Sequence, residues 1–150
     1  MLLYRIAKTP YAQDLTGTGG LFGPGRWHRE GTRIVYLAER VSLAKLEVLA
    51  NSRLTPRNQS LVTIEIADDV PVHRISADLL PTNWARTPYM QELADIAEQW
   101  IREQKFWVMR VPSVHSPNEY NYLLNPLHPA HQSLKIVSIE PHPFDSRLKG

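Results

Sequence analysis

The chain has 150 residues, 43% of them hydrophobic, 21% charged and 9% aromatic, which is one domain's worth of sequence with enough apolar surface for a core, and which excludes a disordered, collagenous or coiled-coil chain. Seventeen basic against fifteen acidic side chains leave a net charge of only +2, so no broad cationic face of the kind duplex DNA selects is expected, although residues 1–50 carry seven basic and four acidic groups and have room for a local anion site. The lack of Cys removes disulfide and thiolate chemistry and makes a reducing cytoplasm the expectation, and the absence of a leader-like start or a run of eighteen apolar residues argues against secretion and membrane spanning.

The first predicted strand is Leu2–Ala7. It is followed by the least ordinary stretch of the chain, Gly17 to Gly31, which holds six of the seven glycines. Glycine costs backbone entropy and has no side chain to pack, so its concentration points to unusual backbone angles, or to main chain approaching a ligand closely. The loop fits neither the dinucleotide pattern, which would need Gly where Phe22 stands, nor the P-loop, which would need Gly-Lys-Ser/Thr. Arg26 and Trp27 end the glycine run, with Arg29 and Arg33 close behind, placing forked cations beside exposed amides; the plain alternative is a core Trp27 and a solvated Arg26.

Arg33–Ala38 is the next predicted strand, with Tyr36 sharing a face with Ile34 and Ala38. A helix over Leu43–Ala50 follows, N-capped by Ser42, with Leu43, Leu46, Leu49 and Ala50 as its apolar side. Glu47 falls inside that stripe. A carboxylate facing a covered surface is costly unless paired or used, and no basic residue stands three or four positions away, so Glu47 reads as functional.

Strands are predicted at Leu61–Ile66 and Val70–Ile75. The longer helix starts from Thr87 as N-cap with Pro88 at its first position, and Leu93, Ile96, Ala97, Trp100 and Ile101 mark its buried side. A strand at Phe106–Val111 leads into Val111–Pro126, a loop of polar hydrogen-bonders and rigid prolines, and Lys135–Glu140 is the last strand. Ser113 has no nucleophile elbow and no triad geometry with His115, so it reads as a hydrogen-bond donor or a turn residue. His115, His128, His131 and His142 do not make a metal set: Pro126 and Pro129 interrupt any helix that could align His128 with His131, and no metal is expected. Strands without regular crossover helices favour a single α+β domain over a doubly wound sheet.

In order and spacing, these segments resemble the RES domain family. The resemblance is carried by Tyr4-Arg5-Ile6, Gly17-x-Gly19-Gly20, Gly25-Arg26-Trp27-His28-x-x-Gly31, Val35-Tyr36-Leu37-Ala38-Glu39 and Ser42-Leu43-Ala44-x-x-Glu47. It continues through Leu80-Pro81-x-x-Trp84, Val111-Pro112-Ser113, Asn121-Tyr122-x-x-Asn125-Pro126 and Phe144-Asp145-x-Arg147-Leu148, so it covers residues 1–150 as one domain. It implies a mixed or antiparallel sheet flanked by helices, similar to ADP-ribosyltransferases of the diphtheria-toxin sort. It also implies a bacterial toxin neutralised by an Xre-type helix-turn-helix antitoxin, with NAD as substrate and no metal. Members degrade NAD, some by phosphorolysis with inorganic phosphate as co-substrate, while others ADP-ribosylate proteins. Arg26, Tyr36, Glu47 and Ser113 fall on the family's catalytic positions, and Arg5, Gly25, Trp27 and Asn121 join Arg26, Tyr36 and Ser113 as NAD contacts. The family usually has Asn where His28 stands. No direct contact with nucleic acid or membrane is implied, and a homodimer is a further expectation.

The residues suit that chemistry. Breaking the nicotinamide–ribose bond develops oxocarbenium character on the sugar, which a carboxylate such as Glu47 stabilises. Nicotinamide is already a good leaving group, so no strong general acid is needed. Arg26 and the glycine-loop amides would hold the diphosphate or an incoming phosphate, Tyr36 would meet the nicotinamide end, and Ser113 would orient the dinucleotide.

Overall fold

The computed structural model describes residues 1–149. Seven strands form one mixed sheet: β1 (Leu2–Lys8), β2 (Val35–Ala38), β3 (Gln59–Glu65), β4 (Val72–Arg74), β5 (Val108–Pro112), β6 (Tyr120–Leu124) and β7 (Lys135–Pro141), in the spatial order β4-β5-β6-β2-β1-β3-β7. Every pairing is antiparallel except β4 with β5. Among the described residues two α-helices complete the α+β fold, α1 (Val41–Ala50) and α2 (Gln91–Glu103), beside five short 3₁₀ turns.

Strand alternation sorts the apolar side chains onto two faces. Leu3, Val35, Leu37, Val62, Ile64, Val108 and Leu124 enter one core, which Ala12, Leu15 and Trp107 close. On the opposite face Ile34, Met109, Val111 and Leu123 pack under Leu93, Ala97 and Trp100 of α2, while Ile6 and Ala38 pack under Leu43 and Ala44 of α1. Both helices therefore lie on the same face of the sheet, with the even-numbered positions of β2 between them. Leu123 is fully buried at the centre of the α2 layer. Leu123→Ala is expected to cost about 2–5 kcal/mol, read as a lowered urea midpoint with an unchanged slope.

The sheet is incomplete in one place. β1 pairs with β3 along its whole length, yet it meets β2 only at Tyr4–Ala38. Beyond that pair the two strands splay, and their separation opens the cleft described below.

Several element boundaries differ from the sequence expectations. β6 lies in the segment expected to be a loop: its prolines, Pro117 and Pro126, flank Tyr120–Leu124 without interrupting it, and β5 and β2 supply hydrogen-bonding partners on both sides. Helix α1 starts at Val41 with Arg40 as N-cap and no side-chain cap, so Ser42 sits in the first turn. Its packed face is Leu43, Ala44 and Val48; Leu46, expected in the stripe, is exposed. Helix α2 starts at Gln91 with Met90 as N-cap, and Thr87 and Pro88 belong to the preceding turn, a local environment that suits proline as well as a first helical turn does. The four positions Leu93, Ala94, Ala97 and Trp100 are buried, in line with the periodicity, and the Trp100 indole N–H donates to the Phe106 carbonyl at 2.8 Å.

Candidate active site

A cavity of about 1020 Å³ occupies the cleft between the splayed β1 and β2, at the upper end of the roughly 300–1,000 Å³ typical of ligand sites. Its walls combine β1 from Tyr4 to Lys8, β2, the inner side of α1, the glycine-rich loop, Thr87 and Tyr89, and the 112–115 turn with Asn121. Arg5, Gly25, Arg26, Trp27, Tyr36, Glu47 and Asn121 all line it. Residues spread over more than a hundred positions thus converge on one cavity.

Glu47 faces into this cavity from α1. Its side chain is 37% exposed, so it lies at the margin of the packed stripe and is not under it. One carboxylate oxygen accepts the Asn121 side-chain N–H at 2.9 Å, and the other stands 3.5 Å from His115 Nε2. Because a carboxylate only accepts, the Asn121 amide must present its nitrogen to Glu47. Helix α1 and strand β6 thereby hold the acid from two sides.

Tyr36 sits on the floor of the cavity. Its hydroxyl accepts the Trp27 backbone N–H at 3.3 Å and lies 2.7 Å from His28 Nδ1, whose other nitrogen is 2.8 Å from the Gly23 carbonyl. A carbonyl only accepts, so Nε2 carries the proton, Nδ1 accepts, and the Tyr36 hydroxyl donates to it. Burial pushes the Tyr36 hydroxyl well above the ordinary tyrosine range, with Glu47 and Tyr89 nearby adding to the rise, so Tyr36 acts as a neutral phenol. Burial likewise holds the His28 imidazole below its ordinary value, which keeps it neutral in this network.

A pH dependence of stability follows. The unfolded chain takes up protons on its histidines near pH 6.5, whereas burial makes the folded state resist protonation at both His28 and His131. The stabilisation is fully present above about pH 6.5 and is lost as the pH falls from there toward the folded values. The urea midpoint is expected to drop between pH 7.5 and pH 5.5, and His28→Asn should flatten that drop.

The glycines serve the fold of the loop more than a ligand. A Cβ on Gly20 would lie 2.0 Å from the Thr32 carbonyl oxygen, and one on Gly25 would lie 2.6 Å from His28 and 3.0 Å from the Tyr36 hydroxyl. The amides of Gly20, Phe22 and Gly25 are already donated to Gly17, Gly19 and His28 carbonyls. The three arginines near the loop also part company. Arg29 bonds Asp95 and Glu98 of α2, at 2.7 and 2.9 Å, and Arg33 donates to the Thr16 carbonyl, so only Arg26 faces the cavity. Its Nη1 donates to the carbonyls of Trp84 and Arg86, and its guanidinium lies 4.8 Å from the centre of the Tyr89 ring. Among the described residues no hydrogen bond uses its Nε or Nη2.

Trp27 is 3% exposed and packs beside Trp84 in the α2 core, so its ring is wall and core together, and its amide serves Tyr36. Arg5 lines the cavity while donating to the carbonyls of Asp14 and Tyr11. Ser113 is the one expected site residue that does not line it: Ser113 is buried, and its hydroxyl oxygen accepts the His115 backbone N–H at 3.0 Å, which fixes the turn that carries His115. His28, Tyr89 and His115 are polar cavity residues to which sequence reasoning assigned no role in the site. His28 carries a visible signal, an imidazole immediately after Arg-Trp in the glycine loop, whereas Tyr89 and His115 arrive through tertiary contacts alone. His131 bridges the Trp107 indole N–H and the Leu15 carbonyl, and His128 caps the turn over Ala130, so both have structural partners away from the cavity.

The chain is thus a mixed-sheet α+β domain in which a carboxylate, an arginine and a buried tyrosine line one cavity. The chain belongs to the RES domain family, whose pattern matches residues 2–145, and it is of the toxin class to which its curated relatives belong. It is 37% identical over 154 residues to Toxin Res of Yersinia enterocolitica, covering 99% of this chain and 100% of that one. It is 36% identical over 149 residues to the Prs ADP-ribosylating toxin of a Sphingobium species, covering 95% and 91%. In fold it is similar to a chain of the MbcT–MbcA toxin–antitoxin complex of M. tuberculosis, with a TM-score of 0.76 at 13% identity over 95% of this chain and 84% of that one. Among the described residues no helix is long and apolar enough to cross a membrane.

Proposed function

We propose that the protein is the toxin of a toxin–antitoxin pair and cleaves the nicotinamide–ribose bond of NAD in the cytoplasm, so depleting NAD and arresting growth. The observation that carries this reading is Glu47, held by Asn121 at 2.9 Å and opening into the same cavity as Arg26 and Tyr36. A negative charge fixed in advance beside the ribose stabilises the oxocarbenium character that develops as nicotinamide leaves, without reorganisation at the moment of reaction. The two nitrogens that Arg26 keeps unengaged, Nε and Nη2, suit one diphosphate oxygen pair. Tyr36, a neutral phenol tied to His28, offers a polar edge and a flat ring to the nicotinamide end. Arg5, Gly25 and Trp27 shape the walls, and Ser113 acts through the turn that presents His115. No step calls for a metal.

The carbon that loses nicotinamide is attacked by inorganic phosphate or by water. Protein ADP-ribosylation is the second reading, favoured by the 36% identity to a relative named as an ADP-ribosylating toxin. Mass spectrometry after mixing protein and NAD, with and without phosphate, separates these acceptors. ADP-ribose 1″-phosphate marks phosphorolysis, free ADP-ribose marks hydrolysis, and a mass gain on a protein acceptor marks transfer; intact NAD under all conditions would overturn the reading. The partner that fits is an Xre-type helix-turn-helix antitoxin, to which DNA binding would belong, and self-association as a homodimer is read by light scattering.

A further inference from the structure

A second concave region, about 540 Å³, lies at the β4–β5 edge of the sheet, and it is lined by different residues from the first cavity apart from Pro112. Its distinguishing feature is a pair of arginines. Parallel register sets Arg74 of β4 directly beside Arg110 of β5, and both line the groove. Like charges placed opposite each other on neighbouring strands are unfavourable unless something neutralises them. Among the described residues neither arginine makes an ion pair; Asp78, the acid in the groove wall, stands outside ion-pair distance of both.

Arg110 is also preorganised. Its guanidinium stacks 3.9 Å from the centre of the Tyr120 ring, which fixes its plane at little further entropic cost. Its Nε is buried with no hydrogen-bond partner, an unmet donor in a half-buried arginine. That Nε is closed off from the groove, so an incoming tetrahedral oxyanion meets the outer edge of the guanidinium, where it relieves the Arg74–Arg110 repulsion. Ser113 adds a third donor. Its oxygen accepts from His115, which leaves its own O–H to give, and it belongs to this groove's wall.

We propose that this groove is a phosphate-binding site separate from the NAD cavity, formed by Arg74, Arg110 and Ser113. The shared chemistry is a phosphate group, supplied either by inorganic phosphate or as the terminal phosphate of a nucleotide. This inference does not depend on the NAD reading, since it concerns residues outside that cavity.

Calorimetric titration of the full chain with inorganic phosphate, and in a parallel arm with AMP, tests it, each repeated with saturating NAD in the Glu47→Gln variant. The expected result is phosphate binding that survives saturating NAD and weakens at least about tenfold in Arg110→Gln. Arg110→Lys, which keeps the charge and loses the fork, should fall between Gln and wild type, and far-ultraviolet circular dichroism checks that each variant is folded. Tighter binding of AMP than of phosphate identifies a nucleotide as the source, and the reverse identifies the free ion. Displacement by NAD, equal affinity in Arg110→Gln, or no binding to wild type in either arm each overturns the proposal. A chain that does not consume NAD but shows the expected phosphate titration leaves this site standing while the NAD reading fails.

Discussion

Glu47→Gln is expected to leave the fold intact and to lower NAD cleavage by about 10²–10³-fold, the usual effect of removing one preorganised electrostatic group from a reaction centre. The substitution keeps the side-chain volume and one oxygen to accept the Asn121 N–H, so the α1–β6 contact survives. What disappears is the negative charge. Because that charge acts on the transition state more than on bound NAD, kcat should fall with KM little changed. Chromatographic quantification of NAD over time, together with thermal melts of both proteins, reads the effect. Cleavage at the wild-type rate by a properly folded variant would remove Glu47 from the chemistry.

Arg26→Ala should act differently, because this side chain has two tasks. Through Nη1 it holds the carbonyls of Trp84 and Arg86, and through its face it meets Tyr89, so it secures the segment that closes one side of the cavity. Its remaining N–H groups are the cavity's forked donors. Hydrogen bonds involving a charged group contribute about 1.5–3 kcal/mol each, so losing two of them lowers kcat/KM for NAD by roughly 10²-fold or more, chiefly through KM. Arg26→Lys restores the charge but neither the fork nor the flat stacking surface, and should recover little of the loss. Steady-state kinetics for the three proteins checks this ordering; a lysine variant with wild-type kinetics would mean that charge alone matters at this position.

Most of the residues that line the cavity as candidates are legible in the sequence, for identifiable reasons. Glu47 stood out because a carboxylate in the apolar spacing of a short helix has no cheap structural explanation, and Arg26 stood out because it closes a glycine-rich run. The helix of Leu93, Ala97 and Trp100 was readable because its periodicity is strong. Boundaries fared worse. Ser42 and Thr87 have the side chains of N-caps, yet neither caps a helix, since several local conformations satisfy a Ser or Thr hydroxyl about equally and packing of the helix decides among them. Strand β6 was hidden because Asn121, a polar residue, occupies a central strand position where its side chain is used to hold Glu47.

The amino-acid order alone determined the local preferences: which segments alternate, which carry helical spacing, where glycine is concentrated, and that an acid and an arginine are out of place in those patterns. Only the tertiary structure decided which of those groups meet. The near-complete separation of β1 from β2 beyond one residue pair creates the cavity, and that gap results from strand pairing between distant segments that no local pattern encodes. The same long-range packing brought Asn121 to Glu47, took Arg29 away to α2, and turned Ser113 out of the cavity toward the Arg74–Arg110 groove. Side-chain chemistry is a property of each residue, but its use depends on neighbours that the chain acquires only by folding.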